Sequence, residues 1–324
     1  MQLKLVCAAL CALAMLPLGG AHAQSYPTKT VRVITPFPAG SGPDSALRVV
    51  ADKLSKQWSH QVLVENRPGA NGFIALGAAK SAPADGYTLA QASSAQLSTH
   101  RLVYKSMPYD PVQDFDAVIP LFRNHFFIVV PAAASWKNVG DLVAAAKAKP
   151  NGLAYGSEFI GSPGHLGAAL LEAATGTQMT HVPFKETTQL FTAVGTGDVQ
   201  WAFGTAGTAG PTVRSGKVRL LALAAPQRLT AFPDVPTVAE SGGPAGFEVA
   251  AWTGLLAPKG TPKAVVDQIN RDVAKALAAP DVRERFASFG YEPWPLSPAQ
   301  TSAAMEADVR RYADTIKRLN LQLD

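Results

Sequence analysis

The stretch RVITPFPAGSGPDSALRVV, residues 32–50, joins a β-branched run to a helical pattern through a loop rich in proline and glycine. This order is typical of a βα unit in an α/β protein. Pro38, Gly40 and Gly42 tighten the turn, and Pro43 suits the first turn of a helix. The unpaired N–H groups and the dipole at the start of such a helix favour a carboxylate or phosphate. The loop is therefore either a small-anion site or a structural turn.

Asp44 and Arg48 follow this loop at a spacing of four residues. Side chains at that spacing are neighbours on a helix surface. We therefore predict an ion pair within the helix, beneath the loop, in preference to direct ligand contact by Arg48.

Similar units recur along most of the chain. Strands are predicted at 30–35, 61–65, 87–92, 126–130, 153–157, 180–183, 199–203, 218–224 and 249–257. Helical patterns lie between them at 43–57, 72–80, 138–148, 163–174 and 188–195. The alternation favours α/β units with mainly parallel sheets. From Pro262 to Phe289 and from Pro298 to Leu319 the spacing is helical, and no strand is predicted beyond 249–257.

The apolar strands 126–130 and 249–257 lead into and out of a middle block. This pattern predicts two α/β lobes joined by two crossover strands, with a helical C-terminal tail. Lobe 1 would comprise residues 24–124 and 249–324, and lobe 2 would comprise residues 125–248. Open α/β sheets bind ligands at the carboxyl ends of their strands, so a ligand is expected in the cleft between the lobes.

The first 23 residues are predicted to be an export signal, with Lys4 in a positive n-region, an apolar run at 5–18 and cleavage after Ala23. A membrane anchor is the alternative, but an apolar run of about 14 residues is shorter than the ~20 needed to cross a bilayer. Both cysteines, Cys7 and Cys11, lie in this segment. The mature chain therefore has neither disulfides nor a thiolate metal site.

The formal net charge is +5, and the positive residues are scattered without a basic run. This distribution gives little support to a role in binding nucleic acid. A mild attraction for small anions is what the charge balance implies.

A second loop of the same kind occurs in YGSEFIGSPGHLGAALL, residues 155–171. Ser157, Gly161 and Ser162 lie between a strand and a helix, where hydroxyl and backbone donors would point at the strand end. The run GTAGTAG, 204–210, follows a strand as a third loop, and it lacks the spacing of a nucleotide-binding motif.

Catalytic and metal motifs are weak. Ser162 and His165 suggest a nucleophile and base, but Ile160 stands where a nucleophile elbow needs its first glycine. The other mature histidines lack the spacing of metal ligands. We therefore expect no catalytic residues, no metal and no cofactor.

Several motifs together resemble one family. They include YPTKTVRVITPFPAG, VENRPGANG, APADGYTL, PYDPVQDF, GHL, HVPFK, GKVRLLALA, PDVPTVAESG and WTGLLAPKGTP. The chain resembles the Bug-type periplasmic solute-binding proteins, the receptors of tripartite tricarboxylate transporters. The likeness covers nearly all of the mature chain.

The resemblance implies a two-lobed periplasmic-binding-protein (Venus flytrap) fold that closes on a small organic acid and delivers it to a membrane permease. It also implies that backbone groups and ordered water near Phe37–Gly42 hold the ligand carboxylate, and that Ser157–Ser162 and Glu186–Thr188 form the opposing wall. Ser93 and Ser94 are added because of their position after the third strand. The predicted ligand-contacting residues are Phe37, Pro38, Ala39, Gly40, Ser41, Gly42, Ser93, Ser94, Ser157, Gly161, Ser162, Thr187, Gly204 and Thr205.

The chain departs from the family pattern at several positions. Ser41 stands in place of a usual glycine, Pro43 in place of Ser or Thr, and Gly204 in place of an Asp. The missing carboxylate at 204 favours simple carboxylates over amino acids as ligands. Phe126 and Phe127 either select an aromatic acid or, as we expect, pack in the core.

We therefore expect a non-enzymatic, monomeric periplasmic receptor for a small carboxylate, either an aliphatic di- or tricarboxylate or an aromatic acid. Two alternatives stay open. The same fold could present its ligand to a membrane signalling protein, or the chain could be an exported hydrolase.

Overall fold

The computed structural model describes residues 26–158 and 160–323. The predicted export signal and its cleavage after Ala23 lie outside these residues. Among the described residues, no helix combines the length and the apolar character that a membrane span requires.

Ten strands are formed by the described residues. They are β1 (Val31–Thr35), β2 (Val62–Asn66), β3 (Thr88–Ser93), β4 (Phe115–Pro131), β5 (Ala154–Ser157), β6 (Thr180–Pro183), β7 (Trp201–Gly204), β8 (Val218–Ala224), β9 (Ala250–Pro258) and β10 (Glu292–Pro293). Each predicted strand is present within one or two residues of its expected bounds, except that β4 begins at Phe115 and not at Phe126. The short strand β10 lies in the last quarter of the chain, where none was predicted.

The helices fill the intervals between the strands. They are α1 (Gly42–Trp58), α2 (Phe73–Lys80), α3 (His100–Val103), α4 (Val139–Ala148), α5 (Pro163–Thr175), α6 (Thr187–Thr196), α7 (Ala206–Arg214), α8 (Lys263–Ala278), α9 (Pro280–Ser288) and α10 (Pro298–Arg318). A 3₁₀ turn at Ala70–Gly72 precedes α2, and a π-helical turn at Ala95–Thr99 precedes α3. The helix α7 was predicted to be part of a loop.

The strands hydrogen-bond in the order β2-β1-β3-β9-β4-β7-β5-β6, and β8 and β10 pair with β4 outside this path. The pairs of β1 with β2 and β3, and of β5 with β6 and β7, are parallel. β9 and β4 run antiparallel to their neighbours. The sheet is therefore mixed, and the expectation of mainly parallel sheets was wrong at the two crossover strands.

The crossover strand β4 takes part in two groups of strands. Its first part pairs with β9, from Phe115 opposite Pro258 to His125 opposite Ala250. Its second part pairs with β8, from Phe126 opposite Ala224 to Pro131 opposite Val218. The two predicted crossover strands are thus confirmed, and they lie side by side.

Hydrophobic clusters cover both faces of each group of strands. In β1, Val33 belongs to one cluster and Ile34 to another. In β4, Ile128 and Val129 divide in the same way between two further clusters. Successive residues of a strand point to opposite faces, so each group of strands carries helices and loops on both sides.

Candidate functional site

The first loop ends where α1 begins. Ser41 is the N-cap residue of α1 with an extended backbone, φ −66° and ψ 161°, and its side chain makes no capping hydrogen bond. Pro43 lies in the first turn, as predicted. The loop therefore presents the N-terminal end of a 17-residue helix.

Asp44 holds this loop in place. Its buried carboxylate accepts hydrogen bonds from Gly40 N (2.8 Å), Arg48 Nε (3.0 Å) and Asn66 Nδ2 (2.7 Å). Asn66 Nδ2 also lies 2.9 Å from the carbonyl oxygen of Phe37. Burial opposes ionisation of Asp44, but the hydrogen bonds from its three donors outweigh burial and lower the pKa of this carboxyl group. The predicted pair of Asp44 with Arg48 is confirmed.

The other N–H groups of the first loop differ in whether they have an acceptor. Phe37 N–H donates to Thr35 Oγ1 (3.2 Å), and Ser41 N–H donates to the carbonyl oxygen of Pro38 (3.2 Å). Proline has no N–H to offer. Among residues 26–158 and 160–323, no acceptor is placed against the N–H groups of Ala39 and Gly42. The buried Ser41 Oγ also has no partner there. Two amides and one hydroxyl are therefore available at the mouth of α1.

A turn that the sequence did not reveal lies against this loop. A Cβ atom at Gly42 would collide with the Tyr291 hydroxyl, so the backbone and this ring are in close approach. The Tyr291 ring stacks on Phe122 with centroids 3.9 Å apart. On the other side of the turn, a Cβ atom at Gly290 would lie 2.6 Å from Ala206 Cβ. The turn 289–291 therefore contacts both the first loop and the start of α7.

Ser93 and Ser94 lie at the end of β3, as predicted. Ser93 Oγ accepts from Gln96 N (3.3 Å), and Ser94 Oγ accepts from Trp252 N (3.4 Å). Ser94 also lines a small cavity with Gly161 of the second loop and with Tyr312. The structure thus brings the second loop against the end of β3.

The second loop is held by capping interactions. Ser162 is fully buried, and its Oγ accepts from His165 N (3.3 Å) at the start of α5. Gly161 N–H donates to His165 Nδ1 (2.9 Å). His165 therefore takes part in capping this loop, and its ring nitrogen Nδ1 accepts from Gly161 N–H instead of contacting Ser162.

Two stacked histidines lie behind this loop. The rings of His165 and His181 are 3.9 Å apart and nearly parallel, and His181 Nε2 lies 2.7 Å from Ser157 Oγ. Burial lowers the pKa of both rings to about 4. A group with that pKa is a poor general base at neutral pH. Among the described residues, no carboxylate orients His181, so the contact with Ser157 lacks the third member of a catalytic triad.

The third loop is the start of a helix. Thr205 and Thr208 form a capping box at the N-terminus of α7. Gly204 precedes it, and a Cβ atom there would lie 2.8 Å from Phe191 Cε1. The phenyl ring of Phe191 in α6 therefore fills the space that a side chain at 204 would need.

Thr187, the first residue of α6, donates from Oγ1 to Glu158 Oε1 (3.2 Å). Glu158 lies inside the second loop but was not among the predicted contact residues. Burial raises the pKa of its carboxyl group, and the hydrogen bond from Thr187 opposes that rise.

Phe126 and Phe127 pack in the protein interior. Phe127 is fully buried, with its ring centroid 5.1 Å from that of Phe232, and Phe126 belongs to a core cluster. Their predicted packing role is confirmed. Among the residues that the structure describes, no cluster of His, Cys, Asp or Glu could hold a metal ion.

Known proteins share this fold and sequence. A protein of R. palustris, Rpa4515, solved with adipate, superposes with a TM-score of 0.80 at 32% identity, covering 92% of this chain and 99% of that chain. MatC of Rhodopseudomonas palustris, solved with bound malate, gives a TM-score of 0.74 at 29% identity, covering 90% and 100%. BugT of Bordetella pertussis is 32% identical over 302 residues, covering 93% of this chain and 92% of BugT.

The fold is that of a periplasmic solute-binding protein. A sequence profile of the tripartite tricarboxylate transporter receptors matches residues 46–321. The chain belongs to this receptor family, which includes the Bug proteins. The resemblance predicted from its motifs is therefore confirmed, and receptors of the family are periplasmic.

Proposed function

We propose that this protein captures a small organic carboxylate in the periplasm and delivers it to the membrane permease of a tripartite tricarboxylate-type transporter. The observation that carries the proposal is the set of donors at the mouth of α1. The amides of Ala39 and Gly42 and the Ser41 hydroxyl have no acceptor among the described residues, whereas Arg48 is paired with Asp44. A carboxylate supplies the acceptor oxygens that such a helix terminus favours.

The opposing wall of the proposed site comes from Ser157, Gly161, Ser162 and Thr187, with Ser93, Ser94, Gly204 and Thr205 at its edges. Ser94 and Gly161 line the same small cavity, which supports this arrangement. The relatives solved with adipate and with malate support a carboxylate ligand.

The proposed lobes are residues 24–124 with 249–324, and residues 125–248. The hydrophobic clusters support this division, because Phe122 packs in a cluster with α1 and α8, and Phe126 packs in one with Trp201. Closure of the lobes would signal occupancy to the permease, which requires that the ligand bind the closed form more tightly than the open form. We propose a mature, monomeric receptor without enzymatic activity, cleaved after Ala23.

Isothermal titration calorimetry of the mature protein, with a panel of mono-, di- and tricarboxylates and aromatic acids, tests the proposal. We expect saturable binding of at least one acid. Ser41→Ala should weaken that binding about 10-fold, because a hydrogen bond to a charged group contributes about 1.5 kcal/mol.

Ser215→Ala is the matched control. It removes an exposed hydroxyl at the C-terminal end of α7, whereas Thr205 of the proposed site lies at the N-terminal end of that helix. It should leave the affinity unchanged. Failure of every acid in the panel to bind would overturn the proposed function.

A further inference from the structure

Glu158 places a carboxyl group at the strand ends of the proposed site. It directly follows β5, and β5 lies between β6 and β7 in the sheet. These three strands are parallel, so their carboxyl ends share one edge. Thr187 and Gly204 lie at that same edge, on either side of Glu158.

Among the residues that the structure describes, the carboxyl group of Glu158 has no cationic partner. Its Oε1 accepts from Thr187 Oγ1 (3.2 Å). Within residues 26–158 and 160–323, no Lys, Arg or His forms an ion pair with Glu158, and Oε2 meets no hydrogen-bond donor. The side chain is only partly exposed. Burial disfavours the ionised form of this carboxyl group unless a donor or cation compensates its charge, and Thr187 supplies only one neutral donor.

Gly204 provides no side chain at the end of β7. The Phe191 ring occupies the space beside the Gly204 Cα atom. Glu158, on the neighbouring strand end, supplies a carboxyl group instead. The expectation of a simple carboxylate ligand, which was based on Gly204 alone, did not take this group into account.

We propose that Glu158 selects the ligand class, so that the site takes an acid whose second functional group is an ammonium and discriminates against a second ionised carboxylate. The inference rests on the proposed function, because it assumes that the first carboxylate binds at the mouth of α1. The ammonium of an amino acid would donate to Glu158 Oε2 and compensate its charge. A second carboxylate in the same place would offer no such compensation and would repel the ionised form of Glu158.

Calorimetry with ligands of matched length tests this inference. One series is 6-aminohexanoate, 6-hydroxyhexanoate, hexanoate and adipate. A second series contains the four-carbon acids with the same end groups. It also contains α-amino acids, each compared with its diacid analogue. We expect the wild-type protein to bind the best amino acid about 10-fold or more tightly than the diacid of the same length. In Glu158→Gln the ratio of amino-acid affinity to diacid affinity should fall at least about 10-fold, because the amino acid binds more weakly and the diacid binds more tightly.

Two further variants complete the test. Glu158→Asp keeps the charge and should retain the preference for the amino acid, and it guards against a general effect of changing this residue. Asp198→Asn removes the same charge from an exposed position beyond the other end of α6 and should leave the ratio unchanged.

The outcomes separate the two proposals. Absence of binding by every acid to the wild-type protein overturns the proposed function and this inference with it. Binding with an amino-acid-to-diacid ratio that is the same in wild type and Glu158→Gln, or a wild-type preference for the diacid, overturns the inference alone.

Discussion

Asp44 is a structural carboxylate that holds the first loop beside the proposed anion site. It lies at the N-terminal end of α1, where the helix dipole stabilises negative charge. By accepting from Gly40 N–H it fixes the loop conformation, and by pairing with Arg48 it removes that guanidinium from the ligand. In the proposed site, an acid would therefore be bound by uncharged donors.

Replacing Asp44 by Ala should destabilise the protein by about 2–4 kcal/mol, because three buried or partly buried donors lose their acceptor. Urea unfolding followed by circular dichroism measures the change. Asp52→Asn, at an exposed position of the same helix, is the control and should change stability by less than about 0.5 kcal/mol. A loss of under 1 kcal/mol in Asp44→Ala, at the scale of a surface substitution, would contradict this account.

For single residues, the sequence predicted contacts between side chains that are close along the chain. The spacing of Asp44 and Arg48 predicted their ion pair. The contacts of Asn66 with Asp44 and of Tyr291 with Gly42 join distant segments, and no local pattern indicates them. The position of Glu158 in the second loop was visible in the sequence, but its contact with Thr187 depends on the packing of α6.

Among the elements, α7 depends most clearly on its capping residues. Its sequence, AGTAGPTVR, contains glycine, threonine and an interior Pro211, all of which disfavour a helix. Thr205 Oγ1 accepts from Thr208 N, and Thr205 N–H donates to Thr208 Oγ1. This reciprocal pair starts a helix that composition alone does not predict.

Thr205→Ala should therefore cost about 1 kcal/mol of unfolding free energy. Thr205→Ser keeps the capping hydroxyl and should retain most of the wild-type stability. Thermal and urea denaturation of the two variants side by side measures the difference. Equal stability of the Ala and Ser variants would show that the capping box does not support α7.

The crossover strand β4 explains another difference between sequence and structure. Its first part contains Pro120 and the polar run Arg123–His125, so no uninterrupted apolar run marks it. The register with β9 shifts between Pro120 and Phe122, which accommodates the missing N–H of proline. Pairing with β9 on one side and β10 on the other maintains the strand there. Strands with a continuous apolar run, by contrast, were located closely.

In the whole molecule, the C-terminal helix α10 packs against a crossover strand through a buried polar contact. Trp252 Nε1 donates to Asp308 Oδ2 at 2.8 Å. Burial raises the pKa of Asp308 to about 6, although the hydrogen bond from Trp252 and the charge of Arg311 oppose this. The folded protein therefore retains a proton that the unfolded chain releases near its usual pKa of 3.8.

Stability should for this reason decline as the pH rises from about 4 to about 6, by up to about 3 kcal/mol from this group. Asp308→Asn stays uncharged and can still accept from Trp252. The difference in unfolding free energy between Asp308→Asn and wild type should thus increase in favour of the variant over this pH range. Urea titrations at pH 4, 5, 6 and 7 measure it, with the exposed Asp314→Asn as control. A difference that does not vary with pH would contradict the assignment.

The two crossover strands have a mechanical consequence for the receptor. Because β4 and β9 are hydrogen-bonded neighbours near residues 124–125 and 250–251, neither can bend there independently. Two adjacent antiparallel strands resist twisting of one proposed lobe against the other but yield to bending across their common plane. We propose that the two lobes open and close along one reproducible arc, so that a membrane partner would meet a single defined shape of the loaded receptor.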